Sequence, residues 1–397
     1  MQPGVTVVES TIEGAGLPSS TAIPVFVGFT DKNYGDESEP ILQQIASMAE
    51  YQGVFGGAAN PKADCALFHT VAHYFESGGE PCFIASVGGY FELEWPLSAV
   101  NISARLTSKA LFSELQREPS IALFAVPDLA LLNDDDVQTI RATWTGITAG
   151  CTASQRLFAL IDAPKTIAAT ENMLSNLNNI SLVNGSWGAA YWPYLKVKSS
   201  LGAAIHIPPS AAVAVMMQQI DASRGIWKPP ANTALINIIE PEYSHLQGAG
   251  LFKQDETYIN LIRSFPGRGT RVWGARTLSD GSDDALAYVQ LRRLVSYIEN
   301  TLADIGRFVV FEPNNDITWV KLKGVTSGWL YELWSDGALY GQSETEAFQI
   351  SLGIGESMTV ADIKAGKLIM SVSLALQYPA EFIQVSVQFD TRTLVSE

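Results

Sequence analysis

The chain has 397 residues, of which 47% are apolar and only 17% are charged, and its formal net charge is −16. Nucleic-acid binding depends on Lys and Arg that neutralise phosphates, so this charge argues against a nucleic-acid partner. The three widely spaced cysteines, Cys65, Cys82 and Cys151, fit neither a disulfide framework nor a zinc ribbon. A composition so poor in charge favours a large surface buried against partners, with a monomer whose surface is rich in Ser, Thr and Asn as the alternative.

No signal for export or membrane insertion is visible. The N-terminus, Met1-Gln2-Pro3-Gly4, lacks both a charged region and a long apolar region. The most apolar run, 205–217, is interrupted by proline and is shorter than the roughly 20 residues that span a bilayer. We therefore expect a protein that is made and folded in the cytoplasm, inserts into no membrane, and leaves the cell only by lysis or another signal-free route.

The first third is predicted to contain an arm and a small α/β domain. Residues 4–9 favour a β-strand and precede a linker containing Gly and Pro, so that 1–20 form an N-terminal arm with unpaired strand edges. Residues 21–118 are predicted to form the small α/β domain and a connector. Its predicted strands are 23–29 and 82–87, and its predicted helices are 43–51 and 64–77.

The middle of the chain has the pattern of a parallel α/β sheet. Continuous apolar runs alternate with helical patterns, and such runs are typical of strands buried on both faces. Residues 119–240 are therefore predicted to be a parallel α/β domain. Its predicted strands are 121–126 and 157–162, and its predicted helices are 135–149, 166–177 and 210–224.

The last third is predicted to be a separate α+β domain over 241–378, followed by a C-terminal arm over 379–397. The pair Thr359-x-x-Asp362 is a predicted capping box that opens a short helix. In the arm, 382–390 alternates apolar and polar residues, as a strand with one buried face does. The other predicted elements are helices over 283–305 and 316–334 and strands over 308–311, 348–352 and 367–376.

The segment 258–278 is the most informative in the chain. It joins an apolar, helix-like run that begins at Ile259 to a turn formed by Pro266, Gly267, Arg268 and Gly269, then to a strand-like run. A phosphate-binding loop is excluded, because valine stands at the place of the third glycine and no Gly-Lys-Ser/Thr follows.

The histidines and acidic runs do not predict an enzyme. His69 and His73 lie four apart on a predicted helix, but the glutamate of a zincin motif is absent, so helix-surface or packing roles are favoured. The run from Asp134 to Asp136 is better explained as an acidic helix N-terminus than as a metal loop. We predict no catalytic, metal or cofactor site.

One alternative is a degenerate hydrolase-like domain with a small-molecule pocket near Ser186 and His206. The run Asn184-Gly-Ser186-Trp-Gly188 imitates a nucleophile loop, but asparagine at position 184 departs from the esterase pattern. The nearest possible bases, His206 and His245, have no recognisable carboxylate to orient them.

Several sequence blocks resemble contractile tail sheath proteins, which occur in myovirus-type phage tails, R-type pyocins and extracellular contractile injection systems. The resemblance covers most of the chain, and the blocks occur in the order of the family. At the N-terminus, Thr6 stands in the place of the family's tyrosine. The matching blocks are 3–9 (PGVTVVE), 55–57 (FGG), 125–128 (AVPD), 160–164 (LIDAP), 189–195 (AAYWPYL), 224–232 (RGIWKPPAN), 260–278, 311–314 (FEPN) and 379–383 (PAEFI).

This resemblance implies a structural subunit rather than an enzyme. The implied fold has a subtilisin-like parallel α/β middle domain without a catalytic triad, a C-terminal α+β sheath domain, and extended strand arms at both ends. The subunit would polymerise as stacked rings around an inner tube and contract to drive that tube through a target envelope. The implied partners are copies of the chain or sheath paralogues, the inner tube, and baseplate and terminator proteins. A sheath of a type VI-like secretion machine is a further alternative, disfavoured because such sheaths usually consist of two chains.

The resemblance also implies which residues meet other subunits. The two arms are expected to exchange strands between subunits, and the turn at 266–269 is a candidate interface. Lys364 and Lys367 are candidate contacts to the inner tube. Five arginines, Arg263, Arg268, Arg276, Arg292 and Arg293, are expected either to make contacts within the subunit or to pair with acidic residues of neighbours. The arm residues are Val5, Val7, Val8 and Glu9 at the N-terminus and Ile383, Val385, Val387 and Phe389 at the C-terminus.

Overall fold

A computed structural model describes residues 21–58, 66–90, 98–179, 182–199, 202–243, 259–279, 286–310 and 312–379. The strands predicted at 4–9 and 382–390, and with them all eight arm residues, lie outside these ranges.

Thirteen strands and eleven α-helices are formed by the described residues. The strands are β1 (Ile23–Thr30), β2 (Ile41–Ile45), β3 (Cys82–Gly89), β4 (Ile121–Ala125), β5 (Phe158–Asp162), β6 (Gly188–Trp192), β7 (Leu195–Lys198), β8 (Ala204–Ile207), β9 (Ile238–Pro241), β10 (Ile259–Phe265), β11 (Gly269–Trp273), β12 (Phe348–Ser351) and β13 (Ser371–Leu374). The helices are α1 (Met48–Phe55), α2 (Leu67–Glu76), α3 (Ala99–Leu106), α4 (Lys109–Arg117), α5 (Val137–Ser154), α6 (Ile167–Asn179), α7 (Ser210–Arg224), α8 (Val289–Gly306), α9 (Asp316–Ser335), α10 (Glu344–Ala347) and α11 (Val360–Lys364).

One eight-stranded sheet dominates the fold. Its strand order is β11-β10-β6-β5-β4-β1-β3-β2, and the six strands from β10 to β3 run parallel. The two edge strands, β11 and β2, pair antiparallel with their neighbours. Helices α3 to α6 pack on one face, and α1, α2 and α7 pack on the other. Both faces are therefore buried, which explains the continuous apolar runs of the central strands and confirms the predicted parallel α/β sheet.

The sheet crosses the domain boundaries predicted near residues 118 and 240. Strand β1 lies between β4 and β3 and is hydrogen-bonded to both, so the segment 21–118 does not form a sheet of its own. Strand β10, from beyond residue 240, pairs with β6. A division near residue 118 would expose the edge of β1 that pairs with β4, and one near residue 240 would expose the edge of β6 that pairs with β10, so the large sheet extends over all three predicted segments.

The C-terminal part of the described chain is a smaller α+β unit. Helices α8 and α9 pack with the two-stranded sheet of β12 and β13 around two compact apolar clusters. The capping box is confirmed, because Thr359 and Asp362 each accept a hydrogen bond from the backbone N–H of the other. The helix predicted over 316–334 is confirmed as α9.

Three local predictions are wrong. Residues 41–45 form strand β2, and the following helix begins only at Met48, after Ser47 caps it. The helix-like run at Ile259 is strand β10. The strand predicted at 308–311 starts instead as a 3-10 helix, Arg307–Val309, in which Phe308 is exposed. In each case short apolar runs carried too little periodicity to separate helix from strand.

A third, three-stranded sheet has the order β8-β7-β9 and lies beside the carboxyl end of β6. On its exposed side, Lys196 of β7 forms an ion pair with Glu240 of β9 at 2.8 Å.

Candidate assembly surfaces

The Gly/Pro turn singled out in the sequence is the tip of the β10–β11 hairpin. Phe265 pairs with Gly269, and the loop closes with a hydrogen bond from the Arg268 N–H to the Phe265 carbonyl at 3.0 Å. Gly267 and Gly269 have φ values of 71° and 74°, a region that side chains with a Cβ rarely adopt. This backbone requirement explains the two glycines without a phosphate ligand.

The loop after α7 covers the outer edge of β11. The Asn232 N–H donates to the Val272 carbonyl at 2.7 Å, and the Leu235 N–H donates to the Thr270 carbonyl at 2.9 Å. Arg268 donates to the Asn232 side-chain oxygen at 3.0 Å. The sequence blocks 224–232 and 260–278, which are separate in the chain, therefore form one structural feature at the end of the large sheet.

Two of the five arginines are used inside the subunit. Arg293 is buried and forms an ion pair with Asp221 at 2.6 Å, and Arg292 donates to Ser296 and to Glu299. The Arg292 guanidinium also lies 4.1 Å from the ring centroid of Trp187. Buried guanidiniums need such partners, so these two residues hold α8 against the large sheet.

A third arginine, Arg276, lies over the Tyr288 ring at 4.3 Å from its centroid. Arg263 and Arg268 differ from the other three, because among the described residues neither forms an ion pair with a carboxylate or lies over an aromatic ring. Of the five arginines, these two remain the candidates for contacts between subunits.

The Arg293 ion pair also anchors Thr21, the first described residue. Arg293 donates to the Thr21 carbonyl at 2.8 Å, and the Thr21 hydroxyl donates to Asp221 at 2.7 Å. The first described residues are thereby tied to α7 and α8. Sequence reasoning missed this cluster, since its members are up to 272 residues apart.

Lys364 and Lys367, the candidate tube contacts, lie at the end of α11 and are exposed. The backbone of Lys367 is held by two hydrogen bonds: its N–H donates to the Asp362 carbonyl at 2.9 Å, and its carbonyl accepts from the Asn314 amide at 2.8 Å. Lys367 is thus held in the turn that follows α11.

The sheet of β12 and β13 offers open edges. It has only two strands, and no other described strand continues it on either side; just after β13, Leu339 forms a single β-bridge with Leu376. Two-stranded sheets are marginally stable alone, and their free edges accept strands from other chains.

The described residues considered for catalysis in the sequence are not brought together into one site. His73 is buried, it hydrogen-bonds to Ser77 at 3.3 Å, and burial lowers its pKa to about 4. Ser186 lies on a short 3-10 helix, Gly185–Trp187, whereas His206 is an exposed residue of β8. Among the described residues no hydrogen bond joins them, and no group of three or more His, Cys, Asp or Glu could hold a metal ion. The hydrolase-like alternative receives no support from this geometry.

The acidic run at 134–136 caps helices. The Asp136 carboxylate accepts from the Thr139 N–H at the start of α5, at 3.1 Å. Asp134 accepts from the backbone of Lys165 and Thr166 at the start of α6. The interpretation as an acidic helix N-terminus is confirmed for Asp136, and Asp134 serves a second helix.

Two buried carboxylates were not found from the sequence. Asp128 accepts from the backbone N–H groups of Phe29, Ala66 and Leu67, and burial raises its pKa to about 6. Asp162 accepts from the Ser210 N–H at 2.8 Å, and burial raises its pKa to about 7. Each carboxylate caps the helix that packs on the sheet, and the chain order gives no signal of either pairing.

No helix in the described ranges has both the length and the apolar character needed to cross a bilayer.

Comparison with known proteins identifies the class. A family model for the phage tail sheath C-terminal domain matches residues 281–390. The chain is 32% identical to a chain in the structure of the anti-feeding prophage (AFP) baseplate in contracted state, with a TM-score of 0.82 and 98% of each chain covered. No curated protein matches.

A second similar chain comes from the sheath complex of an extracellular contractile injection system, PVC, in contracted state. It is 31% identical, with a TM-score of 0.72, and the match covers 99% of this chain and 98% of that chain. The sheath tail protein of Desulfitobacterium hafniense shares the fold at 9% identity, with a TM-score of 0.56 over 94% of this chain and 100% of that one. The present chain belongs to the contractile tail sheath proteins, and it is a structural sheath subunit.

Proposed function

We propose that copies of this chain polymerise as stacked rings around an inner tube and that rearrangement of the rings drives the tube through a target envelope. The observation that carries the proposal is the similarity, over almost the whole chain, to chains of two contractile assemblies. The work of contraction would come from a change in subunit packing, so the chain would act without an enzyme active site, nucleotide or metal.

We also propose the family's finer domain plan for this chain. A parallel sheet with helices on both faces supports a subtilisin-like middle domain, and α8, α9 and the β12–β13 sheet support a C-terminal sheath domain. The large sheet would form the rigid body of each subunit.

Strand exchange is the proposed linkage between subunits. The arm at 1–9 and the arm at 382–390 would add to the β12–β13 sheets of neighbouring copies. Support comes from the free edges of that sheet, because added strands gain backbone hydrogen bonds that survive large rigid-body movements. The hydrogen bonds that Thr21 forms with Arg293 and Asp221 also support this geometry, since they would fix the point at which the N-terminal arm begins.

Two further surfaces complete the proposal. The turn at 266–269 would contact a neighbouring copy, and Lys364 and Lys367 would face the inner tube. Complementary charge across such a contact would set the register between sheath and tube.

The proposed particle implies the remaining partners of the chain and its cellular location. Copies of the chain or sheath paralogues, baseplate proteins and terminator proteins would bind the ends and sides of the rings. We expect assembly in the bacterial cytoplasm, as part of a virion or an extracellular phage-tail-like particle that is released without a signal peptide.

Electron microscopy of the purified chain, alone and with its tube protein, tests this function. We expect tubes or stacked rings in negative stain, extended with the tube protein present and shorter and wider after triggering. A chain that stays monomeric under both conditions would contradict the proposal.

A further inference from the structure

The two ends of the large sheet carry opposite charge. At the β11 end, residues 259–279 contain four arginines and no Asp or Glu, in a chain whose net charge is −16. At the β2 end, the loop 31–40 that leads into β2 contains exposed Asp36, Glu37 and Glu39. With eight strands about 4.8 Å apart, the two ends are separated by roughly 34 Å.

Three arginines of the first end form a cluster that has no acidic partner among the described residues. We call Arg263, Arg268 and Arg271 the basic edge. Arg263 of β10 stands directly opposite Arg271 of β11 in the hairpin register. Like charges in such a pair destabilise a hairpin, so an acidic partner would relieve them.

Within the described residues, the basic edge finds only neutral acceptors. Arg271 donates to the backbone carbonyls of Arg268 and Asn232, and Arg268 donates to the Asn232 side chain. The Nε of Arg263 is buried and has no hydrogen-bond partner there, and burial lowers the pKa of this guanidinium. The three positive charges are thus available to carboxylates from outside the subunit.

Aromatic rings accompany the arginines on the same face of the hairpin. Because side chains alternate along a strand, Phe265 shares the face of Arg263, and Trp273 shares that of Arg271. The two rings pack with centroids 4.8 Å apart, and Trp273 is 39% exposed. Arginine beside partly exposed aromatic rings is the composition that protein interfaces favour.

The acidic loop at the other end is held in one shape. The Asp36 carboxylate accepts from the N–H groups of Ser38 and Glu39 at 2.7 Å and 2.8 Å, and also from the Ser38 hydroxyl. The bond from that hydroxyl and the two backbone bonds lower the Asp36 pKa, so the carboxylate stays ionised. Glu37 and Glu39 form no ion pair with a described residue.

The acidic loop and the hairpin turn lie at the same level of the sheet. The loop leaves the carboxyl end of β1, and the turn leaves the carboxyl end of β10, which runs in the same direction as β1 through the parallel ladder. A second copy placed beside the first along the strand order would therefore bring one feature against the other.

We propose that the basic edge of one copy binds the acidic loop of a second copy, head to tail. This inference rests on the proposed polymerisation and names the surfaces that would carry it. Because the two surfaces differ, each bound copy leaves one of each kind free, and such contacts continue into closed rings or helices.

Charge exchange on the two surfaces gives a sharp test. The first variant carries Arg268→Glu and Arg271→Glu, and the second carries Glu37→Arg and Glu39→Arg. In a solution of either variant alone, surfaces of like charge would face each other. The protein concentration at which half of the chains are assembled should therefore rise at least about tenfold above that of the wild type. A 1:1 mixture should recover assembly, because each changed surface then meets its complement on the other variant.

Sedimentation velocity and negative-stain microscopy measure the result, with the exposed Arg117→Glu on α4 as the matched control. Recovery in the mixture also shows that both variants are folded. The single variant Arg268→Glu, which removes only one exposed hydrogen bond, should raise the assembly concentration in the same direction.

Either of two results would overturn the head-to-tail contact while the wild type still polymerises: variants that assemble like the control, or a mixture no better than its components. A wild type that forms no polymer would instead remove the proposed function, and this inference with it.

Discussion

Arg293 of α8 and Asp221 of α7 form an ion pair at 2.6 Å in which the two side chains are only 3% and 6% exposed. The pair joins the C-terminal α+β unit to the large sheet, and both residues also bind Thr21, the first described residue. The connection between the two units and the position of Thr21 therefore depend on the same buried charges.

Replacing Arg293 by methionine should lower the free energy of unfolding by about 3–5 kcal/mol, because Asp221 would remain as an unpaired buried charge. Adding Asp221→Leu should recover part of the loss. Chemical denaturation measures both variants. The control is Arg307→Met, whose exposed pair with Asp304 should contribute at most about 1 kcal/mol. An Arg293 variant no less stable than this control would show that the pair does not join the units.

The Asp162 carboxyl should make stability depend on pH. Burial raises its pKa to about 7 in the folded state, above the ordinary value of 3.8. The folded state therefore binds this proton more tightly than the unfolded state, so the stabilisation is complete below about pH 4 and is lost as the pH rises through 7. Asp162→Asn should remove this dependence at roughly 1.4 kcal/mol for each pKa unit of difference.

Thermal unfolding at pH 5 and pH 8 measures this effect. The Tm of Asp162→Asn relative to the wild type should be higher at pH 8 than at pH 5, whereas the exposed Asp336→Asn should show no such change. An equal Tm difference at both pH values would contradict the raised pKa.

Removal of residues 1–9 should give folded monomers that form no sheath, since the proposed exchange strand would be absent. Val7→Pro should act in the same way, because proline removes a backbone donor. Val7→Ile, which keeps the N–H, is the matched control and should assemble normally. Circular dichroism checks the fold and microscopy checks assembly. Contractile sheaths from the truncated chain would exclude the N-terminal arm as the linkage.

Replacement of both Lys364 and Lys367 by glutamate should weaken assembly that depends on the tube protein, while self-association without the tube stays unchanged. Pull-down with the tube protein and counting of sheathed tubes measure the effect. Replacement of both Arg117 and Lys321, two exposed residues elsewhere on the surface, by glutamate serves as a control of the same charge change. If tube binding is unaltered, the lysines do not face the tube.

The sequence predicted those elements whose signals are local. Helix α7 occupies 210–224 as predicted, α9 matches its predicted bounds within one residue, and the capping box at Thr359 is present. The resemblance of sequence blocks also identified the family, which the comparisons confirm. Turn glycines, caps and long periodic helices depend on neighbours in the chain, and so they can be recognised without a fold.

Predictions failed where distant segments determine the structure. The run at Ile259 looks helical by composition, but β6 offers it a sheet edge, and it becomes β10. The large sheet also runs across the predicted boundary near residue 118, because β1 pairs with β4 beyond that boundary as well as with β3.

The sequence by itself determined the parallel α/β core, the main C-terminal helices and the sheath family. The reason is that apolar periodicity, turn residues and the order of the motifs can be recognised from the chain alone. Only the tertiary structure decided which arginines form ion pairs within the subunit and which have no carboxylate partner among the described residues. Arg293 meets Asp221 across 72 positions, whereas Arg263 is placed opposite Arg271 by the hairpin register and finds no described carboxylate. Electrostatic partners depend on distance in space, and that distance is set only when the sheet has assembled.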